Sequence, residues 1–162
     1  MAGVEPAGYA THTVTTTTAI VRISRRDPSV RLPEYQTAAA AGFDLAASES
    51  LTVAPGSIAL VPTGLVIEVP AGHFLGIFAR SSTPLKRGLM VANGVGIVDA
   101  DYCGPDDEIK IQVLNISAQP VEIRTGDRLA QGVFLPYVRA EWDEQSSAPS
   151  SATRGGFGST GR

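Results

Sequence analysis

Asp99, Asp101 and Tyr102 fall within "GIVDADYCG", residues 96–104, so two carboxylates and a phenol share one short segment framed by glycines. Carboxylates can take protons or attract cations, and a tyrosine offers both a ring and a hydroxyl. On an extended segment Asp99 and Asp101 point to the same side and repel each other, unless one faces solvent or the chain bends between them. They are therefore expected to divide their roles. Four other glycine-containing clusters accompany this one: "AGFDLAA" (41–47), "ARSSTPLKRG" (79–88), "GDRLAQ" (126–131) and "RGGFGSTG" (154–161). Singly each has a plain explanation. Asp44 can be a turn residue, Ser81 and Ser82 helix caps, Gly126-Asp127 the close of a hairpin, and the terminal glycines a linker.

The elements that must position these clusters follow from composition and pattern. A chain of 162 residues, 43% hydrophobic with 17 Gly and 11 Pro, is the size of one domain with one core. Short runs rich in Val, Ile and Leu lie between turn-formers, and no apolar helical stripe of the usual length appears, so the expected class is an all-β sandwich or barrel. "LVIEVP" (65–70) and "EIKIQVLNI" (108–116) alternate as half-buried strands do, with Ile109, Ile111 and Val113 on one face and Lys110 and Gln112 on the other. "FLGIFA" (74–79) and "LAQGVFLPYV" (129–138) read as further strands. One short helix is expected at "TPLKRG" (83–88), capped by Thr83, with Pro84 at its first position and Gly88 as its stop. Residues 1–18 read as a flexible arm, 19–142 as the β domain, and 143–162 as a mobile tail rich in Ser, Gly and Ala.

Several function classes are set aside. No apolar run approaches the ~20 residues needed to span a bilayer, and the N-terminal stretch lacks a signal-peptide pattern. A cytoplasmic location is expected, or a nuclear one for a eukaryotic or viral source, with no membrane association. Cys103 is the only cysteine, which excludes an internal disulfide, and with only His12 and His73 a zinc site is not expected. A formal charge of −3 argues against stable nucleic-acid binding but leaves room for a local basic pocket.

Taken together and in order, the five clusters resemble the five motifs of the trimeric dUTP pyrophosphatases (dUTPases), from about residue 19 to the end. The resemblance implies a jelly-roll-like subunit, a homotrimer with three sites at subunit interfaces, and magnesium-assisted hydrolysis of dUTP to dUMP and pyrophosphate. It assigns Asp99 as the base that orients and deprotonates water, Asp101 a structural role, and Tyr102 a place against the deoxyribose that leaves no room for a 2′-hydroxyl. Uracil presents two carbonyl acceptors and one N–H donor. The exposed backbone of "NGVGIV" (93–98), from Asn93 through Gly94 to Val98, can answer that pattern, since the glycines permit close approach. The triphosphate needs preorganised donors and a cation. Arg80, Ser81 and Ser82 supply donors, Ser81 facing the oxygen that leaves the α-phosphorus. By the same resemblance, Gln131 would help hold phosphate and the attacking water, and Asp44 would reach magnesium through water. In the tail, the resemblance implies that Phe157 stacks on uracil while Arg154, Gly158, Ser159 and Thr160 cover the phosphates. From Trp142 to Gly156 an extended chain reaches roughly 46 Å at ~3.3 Å per residue, enough to serve a neighbouring subunit.

Three features depart from the family pattern. "GPDDEIKIQVLN" (104–115) is about three residues long by comparison, and its Asp106, Asp107 and Glu108 read as a solvated turn. "RSS" replaces the usual Arg-Ser-Gly, and Arg154 lies closer to Phe157 than the usual arginine does. Competing readings are a dCTP deaminase or bifunctional relative, and a regulatory protein that keeps the fold without turnover. A jelly-roll lectin or capsid-like module would explain the strands but none of the clusters.

Overall fold

Runs of aliphatic and β-branched residues broken by turn-formers fold, in this computed structural model describing residues 18–147, into strands and one helix. The strands are β1 (Ile23–Arg25), β2 (Phe43–Ala46), β3 (Leu51–Val53), β4 (Ile58–Pro62), β5 (Leu65–Ile67), β6 (His73–Ala79), β7 (Leu89–Val91), β8 (Gly96–Val98), β9 (Lys110–Asn115), β10 (Val121–Ile123) and β11 (Arg128–Pro136). The helix α1 (Ser82–Arg87) lies between β6 and β7. One four-stranded sheet runs β2-β11-β6-β8 and one three-stranded sheet β4-β9-β7, with the ribbons β1-β5 and β3-β10 beside them. Sequence neighbours are rarely sheet neighbours, so the chain crosses repeatedly between sheets in the manner of a jelly roll. The expected all-β, jelly-roll-like class is the one observed.

The inward residues of both larger sheets, among them Leu45, Val61, Leu75, Ile111, Val113 and Leu129, join one buried cluster. β9 follows the alternation anticipated for it: Ile109, Ile111 and Val113 are buried and Lys110 is exposed. β5 does not, and it ends three residues early. Leu65, Val66 and Ile67 are buried in succession, because a strand covered on both faces has no solvent side for a polar residue.

The helix corrects part of its expectation. Ser81, not Thr83, is the N-cap, and its side chain makes no capping bond. Thr83 lies inside the helix and is buried, its Oγ1 donating to the Leu129 carbonyl at 2.9 Å. A tertiary acceptor has taken the hydroxyl that local capping would have used. Pro84 is accordingly the third helical residue rather than the first. Gly88 does end the helix, in the left-handed conformation at φ 63° with its N–H returning to the Pro84 carbonyl at 3.1 Å.

Candidate active site

The hairpin after β7 builds the first cleft. Its turn needs a positive φ at Gly94, 74°, and a β-carbon there would meet nothing within 4 Å, so the tip is open to an approaching ligand. β8 then pairs with β6, Leu75 opposite Val98 and Ile77 opposite Gly96, which fixes where the following residues emerge. Beyond Val98 the chain turns, the Tyr102 N–H donating to the Asp99 carbonyl at 3.2 Å. This turn takes the chain out of the extended form that would set Asp99 and Asp101 on one side. Asn93, Val98, Asp99 and Tyr102 line a cleft of about 440 Å³ with Ile97 and Glu108. That size suits a small organic ligand. Asp99 is exposed there, and the Tyr102 hydroxyl donates to the Glu108 carbonyl at 3.3 Å.

A second cleft, of about 250 Å³, gathers charge. Arg80, Lys86, Arg87 and Arg128 line it together with Ser82 and Asp127. Register in the four-stranded sheet sets Asp44 on β2 opposite Gln131 on β11, and Gln131 opposite Phe78 on β6. Asp44 then reaches two of the cations: Oδ1 lies 2.7 Å from Arg80 Nε and Oδ2 2.9 Å from Arg128 Nη1. Arg80 Nη1 also donates to the Arg128 carbonyl at 3.3 Å. The Gln131 amide donates to the Ala79 carbonyl at 3.4 Å. Arg87 forms a two-pronged pair with Asp127 at 2.6 and 2.7 Å. That bonded guanidinium holds the Asp127 carboxyl below its ordinary value of 3.8, and the carboxylate in turn raises Arg87. Four cations against the two carboxylates Asp44 and Asp127 leave this cleft net positive, a balance that favours an anion.

The donor set decides how magnesium would fit. No group of three or more His, Cys, Asp or Glu comes together among the described residues. Both oxygens of Asp44 are engaged by arginines. Such a site does not fit a protein cage, and fits only a hard ion that arrives with phosphate and water ligands.

The residues expected from the sequence are thus brought together in two groups. Asn93, Val98, Asp99 and Tyr102 share one cleft, while Arg80 and Ser82 line the other, with Asp44 bonded to Arg80 and Gln131 paired to Asp44 by register. The two clefts have no lining residue in common. Ser81 is exposed at the head of α1, and Gly94 at the hairpin tip. Arg154, Phe157, Gly158, Ser159 and Thr160, together with residues 1–17 of the arm, lie outside the described residues. Lys86, Arg87, Asp127 and Arg128 were not singled out. The signal was present in "PLKRG" and "GDRLAQ", which read locally as a helix end and a turn. The acidic turn is more than a solvated one: Asp106 is exposed, but Asp107 and Glu108 are half-buried, their carboxylates accepting the N–H groups of Gly104 and Gly64, each at 2.7 Å.

A jelly-roll-like fold with one ring-lined, acid-bearing cleft and one cationic cleft has the makings of an all-β nucleotide-binding protein. Comparison with known proteins narrows this. The dUTPase family profile matches residues 29–161. The deoxyuridine 5′-triphosphate nucleotidohydrolase of Anaeromyxobacter sp. (strain Fw109-5) is 43% identical over 147 residues, covering 90% of this chain and 98% of its own. Its counterpart from Desulfitobacterium hafniense (strain DSM 10664 / DCB-2) is 46% identical over 146 residues, covering 85% and 91%. The crystal structure of dUTPase from Streptococcus mutans superimposes with a TM-score of 0.69 at 37% identity, over 75% of this chain and 98% of that one. The chain belongs to the dUTPase family.

Proposed function

We infer that this chain is a dUTP diphosphatase that hydrolyses dUTP to dUMP and pyrophosphate, limiting uracil in DNA and supplying dUMP for thymidylate synthesis. The observation that carries the reading is the gathering of Asn93, Val98, Asp99 and Tyr102 around one cleft of nucleoside size. There the hairpin backbone reads uracil, the Tyr102 ring packs on the deoxyribose, and Asp99 takes a proton from water. The water oxygen bonds to the α-phosphorus as the bond to the α,β-bridging oxygen breaks, and pyrophosphate leaves. Ser81 donates to that leaving oxygen, Gln131 orients the water and an α-phosphate oxygen, and Arg80 and Ser82 bind the chain of phosphates. Asp44 would help hold magnesium through water, and the ion, if bound with the triphosphate, would supply charge neutralisation. Arg154, Phe157, Gly158, Ser159 and Thr160 close over base and phosphates and exclude water.

The active form proposed is a homotrimer. Two clefts without a common lining residue form one complete site when neighbouring subunits bring them together. The outer face of β4-β9-β7 also offers an interface: Ile58 and Met90 both sit beside Leu114 in register and are 58% and 45% exposed, and Leu60 is 57% exposed. A cytoplasmic location, or a nuclear one in a nucleated cell, accords with the substrate.

Hydrolysis in ¹⁸O-labelled water tests the reaction. Label appearing in dUMP is the expected result, and label in pyrophosphate would mean attack at the β-phosphorus. With dCTP in place of dUTP, ammonia released with the triphosphate intact would instead identify a deaminase.

A further inference from the structure

Residues 104–108, "GPDDE", have no part in the reaction described above, yet the turn they form is tightly built. The Asp107 N–H donates to the Gly104 carbonyl at 3.1 Å, and the Glu108 N–H to the Asp106 carbonyl at 2.9 Å. The far side of the turn is anchored on the loop before β5. The Glu108 carboxylate accepts the Gly64 N–H at 2.7 Å, while the Gly64 carbonyl accepts the Arg26 N–H at 2.9 Å. Gly64 itself has little freedom: its φ is 68°, and a β-carbon there would lie 2.6 Å from Val30 Cγ2. Next along the chain, the Ile109 N–H donates to the Leu65 carbonyl at 2.9 Å, and its carbonyl accepts the Thr63 hydroxyl at 2.6 Å. Glu108 is therefore held through its own side chain on one side and through Ile109 on the other.

The near side of the same residue faces the nucleoside cleft. The Glu108 carbonyl receives the Tyr102 hydroxyl at 3.3 Å, and Tyr102 and Glu108 line that cleft together. We propose that Glu108 is a positioning residue for sugar selection, its carboxylate on the Gly64 N–H fixing the carbonyl that holds the Tyr102 ring at the cleft wall. A ring held at its hydroxyl as well as at its backbone cannot swing aside to admit a 2′-hydroxyl. A charge-assisted bond from a carboxylate to a backbone N–H is among the stronger anchors available for this. The inference rests on the dUTP reading for its consequence in turnover, but the anchoring itself does not.

Two readouts separate these. In hydrogen exchange of the full chain, Glu108→Ala should speed exchange across residues 99–104 and at Gly64, whereas Glu108→Gln, whose side-chain oxygen still accepts, should not. In turnover, Glu108→Ala should lower the ratio of kcat/KM for dUTP over UTP roughly five- to tenfold, about the effect of one hydrogen bond, and Glu108→Gln should restore it. Tyr102→Phe keeps the ring and loses the hydroxyl. It should lower the ratio similarly, and the double variant Tyr102→Phe/Glu108→Ala should fall no further. Unchanged exchange at 99–104 in Glu108→Ala, or additive losses in the double variant, would overturn the proposal. A wild-type chain that fails to hydrolyse dUTP would defeat the functional reading, and the exchange measurement would still decide the role of Glu108.

Discussion

Arg87 and Asp127, forty residues apart, form a two-pronged ion pair with nitrogen–oxygen distances of 2.6 and 2.7 Å. The pair ties the last turn of α1 to the turn that leads into β11, so it joins two walls of the cationic cleft. The Arg124 N–H adds a third bond to the same carboxylate at 2.9 Å. Arg87 first, and then this backbone donor, lower the Asp127 carboxyl from its ordinary 3.8. A carboxylate with a depressed folded value contributes stability above its unfolded value and loses it as pH falls through the folded one. Wild-type Tm should therefore drop more steeply below about pH 4 than that of Asp127→Asn, which has no proton to gain there. Parallel Tm profiles for the two chains between about pH 3 and 7 would count against this role.

Asp99 and Asp101 should separate in kinetics. A positioned general base contributes about 10²–10⁴ in rate, so Asp99→Asn should lower kcat by that order while dUTP binding persists. Asp101→Asn, within the turn that follows Asp99, should do less. Steady-state kcat with a direct binding titration checks both, and a larger kcat loss in Asp101→Asn would reverse the assignment.

Much of this was legible before any coordinates, and the reason differs from place to place. The burial of Ile109, Ile111 and Val113 follows from strict alternation, and the Asn93–Tyr102 wall of the cleft comes from contiguous sequence, where spacing and geometry coincide. What escaped depends on partners far along the chain. Thr83 reads as a cap until the Leu129 carbonyl is beside it, and Asp127 reads as a turn until Arg87 is. Glu108 reads as solvated until the Gly64 N–H is in place. Asn115 reads as an ordinary strand residue, but it is fully buried, its amide donating to the carbonyls of Val53 and Gln119 while its oxygen accepts from Ser117. Packing of the helix and turns against distant strands creates these meetings, and local pattern carries no trace of it.

Assembly can be tested at the apolar outer face. Light scattering should give about three times the 16.9 kDa chain mass. Ile58→Asp places a carboxylate beside Leu114 and Met90 and should shift the mass toward that of one chain, with activity lost in parallel. A fully active monomer would contradict the trimeric site.

The tail should separate fold from function. Removing residues 152–162 should leave Tm and assembly mass nearly unchanged while activity collapses, because Phe157 and the residues after it are gone. A tailless chain refolded together with an Asp99→Asn chain should regain part of the activity, one subunit's tail closing over another's intact base. No recovery in mixed assemblies verified by mass spectrometry would mean that each tail serves its own subunit.

Pyrophosphate release from dUTP, measured beside dCTP, dTTP and UTP with magnesium present, tests the central claim most directly. In the proposed reading the nucleoside cleft would answer uracil with hydrogen bonds, reject the thymine methyl for lack of space and exclude a 2′-hydroxyl through Tyr102. The account predicts that kcat/KM for dUTP exceeds each of the other three by on the order of 10² or more, because buried polar groups left without partners penalise the wrong base heavily. Comparable rates for all four nucleotides, or no pyrophosphate from dUTP, would contradict it.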